Sequence, residues 1–130
     1  MKAPLALLPL VLLGSCGLIT GPVSCTTDVT PALEVRVVDA RTGAPAAHGT
    51  FATARDGSYT DTLGITGWTG PSLDSTTAVV LEGAYERPGT YTVRITKPGY
   101  RLWERTRVHA REGQCGVERA RLEALLEPAA

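Results

Sequence analysis

Gly89-Thr90-Tyr91-Thr92-Val93-Arg94-Ile95-Thr96-Lys97-Pro98-Gly99-Tyr100 is the stretch on which the fold turns. Tyr91, Val93 and Ile95 alternate with Thr90, Thr92, Arg94 and Thr96, and a period of two puts one set inside and the other in water. The residue types agree, since β-branched and aromatic side chains suit a pleated surface. Lys97, Pro98 and Gly99 then turn the chain, and Glu86 to Gly89 turn it on the other side. Working outward, Thr77 to Leu81 is apolar and β-branched enough for a strand. Leu33, Val35 and Val37 alternate with Glu34 and Arg36 in an earlier one. Thr50 to Arg55 reads as a strand ended by the turn pair Asp56 and Gly57, and Ser58 to Leu63 as the next.

Three stretches are less plain. Gly64 to Thr76 holds Gly64, Gly67, Gly70 and Pro71 around Trp68, a composition that predicts a flexible surface loop. In Tyr100 to Ala110, Leu102 and Val108 share one face while Trp103 falls on the other, beside Arg101, Arg105, Arg107 and His109. Burying Trp103 with Val108 requires a one-residue offset, which a β-bulge around Arg105 to Arg107 supplies; without it Trp103 lies within a basic stripe. Val117 to Glu127 favours a helix by propensity. As a strand, however, it faces Ala120, Leu122, Ala124 and Leu126 inward, with Arg119, Arg121 and Glu123 in water. Six preceding strands with regular turns want a seventh partner, so a strand is expected, and with it an all-β, seven-stranded, Ig-like sandwich.

The chain has 130 residues, 43% hydrophobic and 20% charged, with thirteen basic and thirteen acidic side chains. That allows one small domain and gives no overall attraction to nucleic acid, which is not expected as a partner. The amino terminus is a separate matter. Lys2 followed by the apolar stretch Ala3 to Leu13 reads as an export signal too short to span a bilayer, which needs roughly 20 apolar residues. It ends in Leu13-Gly14-Ser15-Cys16, which resembles the bacterial lipobox. The resemblance implies cleavage before Cys16 and acyl chains on it, and two or three such chains anchor firmly. Gly17, rather than Asp, resembles the pattern of lipoproteins sent on to an outer membrane, where the host has one. Residues 1–15 are therefore assigned to a lipoprotein signal peptide, 16–31 to a lipidated tether and 32–128 to the sandwich.

Three cysteines in an exported chain leave one over. With Cys16 taken by lipid, Cys25 and Cys115 remain to pair in an oxidising compartment. Neither has the partners or spacing of a zinc site.

Three further stretches, Val37 to Pro45, Asp56-Gly57-Ser58-Tyr59 and Gly89 to Tyr100, together resemble the carboxypeptidase regulatory-like domain. The resemblance runs from about Ala32 to Pro128 and implies a transthyretin-like seven-stranded sandwich. The chain is similar to small bacterial lipoproteins that consist of this domain. It does not extend to a peptidase catalytic domain, so peptidase activity is not implied.

Catalytic chemistry has little to work with. His48 and His109 are far apart, with no metal-binding spacing around them, and Ser58, Ser72 and Ser75 lack a nucleophile-elbow context. Asp56, Asp61, Glu82 and Glu86 would need the fold to bring them together before they could bind calcium. No enzyme, cofactor or metal is expected. Two binding features remain. Trp68 could stack on a sugar ring or a partner side chain, or fold back as a lid. From Arg87 onward there are nine basic and five acidic residues, and the stripe Arg101, Arg105, Arg107 and Arg111 could meet the anionic groups of an envelope polymer or lipid, or simply guard an edge. The expected role is a non-catalytic module at the cell envelope, anchored in the membrane. It would contact an envelope protein or serve a structural role, or alternatively bind a glycan through Trp68 or an anionic polymer through the Arg101 to Arg111 stripe, with Arg101, Trp103, Arg105 and Arg107 as candidate contacts.

Overall fold

A computed structural model describes residues 24–130. The residues expected to form a signal peptide, Cys16 and half of the expected tether lie outside the described residues. The described chain is all-β and forms a sandwich of two four-stranded sheets. The strands are β1 (Pro31–Asp39), β2 (Phe51–Asp56), β3 (Tyr59–Thr62), β4 (Gly64–Trp68), β5 (Ala78–Tyr85), β6 (Gly89–Thr96) and β7 (Trp103–Ala110). A small hairpin, β8 (Glu112–Gly113) and β9 (Gly116–Val117), precedes β10 (Ala120–Leu126). One sheet has the order β10-β1-β5-β4 and the other β3-β2-β6-β7. All pairings are antiparallel except β1 with β10, which run parallel with Leu33 opposite Ala120 and Asp39 opposite Leu126.

The core is what alternation predicts. Leu33, Val35 and Val37 of β1, Tyr91, Val93 and Ile95 of β6, and Ala124 and Leu126 of β10 are buried in one cluster. β10 is therefore a strand, although the Ala, Leu, Glu and Arg content of this segment favours a helix. Period-two burial against β1 outweighs propensity. The strand begins at Ala120 rather than Val117, because Val117 belongs to the hairpin.

Two expectations are corrected. Gly64 to Thr76 is not all loop, since its first five residues form β4, paired with β5. Glycine-rich composition misled here because Gly67 is needed by the pairing itself. A Cβ at Gly67 would lie 2.7 Å from Val80 Cβ, and the register slips on either side of it. The count of seven strands consequently becomes eight in the two sheets, plus the short hairpin. β3 and β4 are in effect one run of chain that leaves one sheet at Leu63 and enters the other, and buried Leu63 donates its N–H to Ala52 O across the change.

The offset in β7 is present. Tyr91 lies opposite Val108 but Val93 lies opposite Arg105, so one extra residue sits on β7 between them. Arg107 takes up the irregularity with φ +57. Trp103, opposite buried Ile95, turns inward and packs half-buried against the core.

Candidate functional site

The motifs behind the family resemblance meet at the two ends of the sandwich. At one end the β1–β2 turn is closed by Asp39. Its Oδ1 accepts from the N–H of Arg41 at 2.8 Å and of Thr42 at 3.0 Å, and its Oδ2 accepts from the Tyr100 hydroxyl at 2.7 Å. These bonds, the one from Tyr100 foremost, lower the Asp39 pKa from 3.8 to about 2 and push the Tyr100 phenol up. Lys97 Nζ donates to Ala46 O at 3.1 Å, and burial pulls the pKa of its ammonium down. Thus the turn after β1 and the Pro-Gly-Tyr turn after β6, 61 residues apart at Asp39 and Tyr100, are tied by side chains.

The opposite end holds a second lock. Buried Tyr91, near the start of β6, donates its hydroxyl to Arg87 O, the arrangement of a tyrosine corner. The Arg87 guanidinium lies 3.9 Å from the Tyr59 ring centroid and pairs with Asp56 at 3.0 Å. Gly89 sits so close that a Cβ there would lie 2.5 Å from Asp56 Oδ2. Burial raises the Tyr59 pKa, and the bonds to Tyr91 and Asp56 raise that of Arg87.

At this same end the segment before β1 is fastened: Cys25 and Cys115 form a disulfide with Cα atoms 5.2 Å apart, joining it to the turn of the β8–β9 hairpin. The pair expected from the sequence is the pair formed.

The four carboxylates weighed for calcium are each taken up elsewhere. Asp56 holds Arg87, Asp61 accepts the Ala84 N–H at 2.8 Å, Glu82 accepts the Thr66 hydroxyl at 2.8 Å, and Glu86 accepts the Thr30 N–H. Among the described residues no three His, Cys, Asp or Glu side chains are grouped as metal ligands would be.

Trp68 is at the last position of β4, opposite Ala78 and 37% exposed, rather than in the middle of a loop. It lies at the end of the sandwich away from the disulfide, as does Leu73 in the loop that follows. The arginines do not make one row. Arg101 precedes β7 and is held through its N–H to Glu127 O. Arg105 is in register with the inner face, its guanidinium 5.2 Å from the Trp103 ring. Arg107 occupies the bulge, and Arg111 is paired with Glu118 at 3.4 Å. The offset that buries Trp103 is what divides them.

One feature escaped the sequence reading. The outward side of the β3-β2-β6-β7 sheet is a shallow concavity of about 640 Å³ lined by threonines with Arg55, Arg94 and Glu104. The alternation of Thr90, Thr92, Arg94 and Thr96 was its signal, but a strand's solvated side looks the same until its neighbours are known. Compared with family models, curated proteins and solved structures, the chain returned no match.

Proposed function

We propose that the protein is a lipid-anchored, non-catalytic module of a bacterial cell envelope, a sandwich of the carboxypeptidase regulatory-like, transthyretin-like kind that presents its far end to a partner protein. The observation that carries this reading is the Cys25–Cys115 bridge. Such bridges persist in oxidising compartments outside the cytoplasm. It also lies only nine residues beyond Cys16, the lipobox cysteine. Nine residues reach roughly 30 Å when fully extended, so an anchored sandwich would stand close to the bilayer with its hairpin end inward. Trp68, Leu73 and Leu102, all exposed and apolar, belong to the other end, where a partner would meet them. Support for the family comes from the two locks, because Asp39 and Tyr100 in one, and Asp56, Tyr59 and Tyr91 around Arg87 in the other, belong to the motifs that carry the resemblance.

Intact mass of the membrane-extracted protein tests the anchor. The expected result is acyl chains on Cys16, a chain that begins there, and two hydrogens lost at Cys25 and Cys115. Cys16→Ser should release the protein from the membrane fraction. An unacylated chain, or a Cys16→Ser protein that stays membrane-bound, would refute the anchor.

A further inference from the structure

The outward side of the second sheet has a composition that neither the anchor nor the core requires. Register places Thr53 and Arg55 of β2 beside Thr60 of β3 and Thr92 and Arg94 of β6, with Glu104 of β7 opposite Arg94. Arg94 Nε holds Glu104 Oε2 at 3.0 Å, so those two charges offset each other. Arg55 has no carboxylate within 4.0 Å among the described residues. Its Nε donates to Gly57 O at 3.0 Å, which leaves the two terminal nitrogens toward solvent. At the far end of the same face the Phe51 ring is 61% exposed, bordering a second hollow with Thr53, Arg94 and Thr96. Strand propensity accounts for the threonines. It accounts for a phenylalanine in a strand too, but not for the exposure of that ring in line with an unneutralised guanidinium.

We infer that this face binds an acidic polysaccharide, a chain of sugar rings carrying carboxylates. Each element of the face answers one element of such a ligand. Threonine hydroxyls both donate to and accept from sugar hydroxyls. A guanidinium fork pairs with a carboxylate through two parallel bonds. The Phe51 ring offers an apolar platform for the C–H side of a sugar. The concavity, about 640 Å³, falls within the range of ligand sites, and its openness suits a chain lying across the strands. The site is separate from Trp68 and does not depend on the anchor, so it stands or falls apart from the function proposed above.

The test is a titration of the full chain, purified in detergent, with an oligogalacturonate and with a maltooligosaccharide of equal length. The oligogalacturonate should bind, more weakly as salt rises, and the neutral oligomer should not. Arg55→Gln should weaken binding about tenfold, the loss of one charge-assisted pair. Glu104→Gln should strengthen it, because Arg94 is then free to meet a ligand carboxylate. A gain of affinity cannot come from damaged folding. Trp68→Ala should leave it unchanged, and methyl resonances of Thr53 and Thr92 should shift on binding. Equal binding of the neutral oligomer, no binding of either, loss on Trp68→Ala, or affinity lowered by Glu104→Gln would each overturn the proposal.

Discussion

Tyr91 and Tyr100 act at opposite ends of the sandwich: each packs its ring on the core and returns its hydroxyl to a turn, Tyr91 to the one that leads into its own strand and Tyr100 to the distant one after β1. For Tyr91 the ring is fully buried, so Tyr91→Phe keeps the packing and removes the two hydrogen bonds of its hydroxyl, one given to Arg87 O and one accepted from the Arg87 guanidinium. The expected cost is about 1–1.5 kcal/mol, read as a lower midpoint of urea unfolding with an unchanged slope. Asp39 gives a pH test. Its pKa is lowered by folding from 3.8 to about 2, so its contribution is fully present above 3.8 and is lost as pH falls through 2. Asp39→Asn should therefore flatten the fall in stability between those values, as measured by urea midpoints at a series of acid pH values.

Single strands show what alternation can and cannot reveal. The two tryptophans separate: Trp103→Ala removes a ring packed on the core and should cost about 2–3 kcal/mol, less than a fully buried ring because Trp103 is half-exposed. Trp68→Ala, at the exposed end of β4, should cost well under half of that; thermal melts of the two variants side by side check the order. β1, β2, β6 and β10 could be read from residue order because each buries one side and wets the other. The offset in β7 could be read because two large apolar residues of opposite parity, Trp103 and Val108, both needed burial. β4 could not, since its pairing with β5 depends on Gly67 admitting Val80, a relation between residues 13 apart that composition reports only as glycine. The threonine face stayed hidden for a related reason: Thr53, Thr60 and Thr92 become neighbours only through register. β7 is also an open edge, and Arg105 at an inward register position with the bulge beside it is how such edges resist pairing with other chains. Arg105→Val should raise self-association, visible as concentration-dependent sedimentation.

For the molecule as a whole, the bridge between Cys25 and Cys115 closes 90 residues, for which chain entropy alone gives about 4.6 kcal/mol. The segment from Ser24 to Val29 has no strand of its own and would move freely once cut loose, which reduces the benefit. Cys115→Ser should thus cost about 2–3 kcal/mol, measured by urea unfolding against the oxidised protein. The parallel pairing of β1 and β10 has a mechanical consequence. With the bridge reduced, tension entering at Pro31 and leaving past Leu126 pulls the two strands lengthwise past each other, so the ladder from Leu33–Ala120 to Asp39–Leu126 bears the strain all at once instead of unzipping rung by rung. A domain so built resists stretching along its length better than peeling from its side.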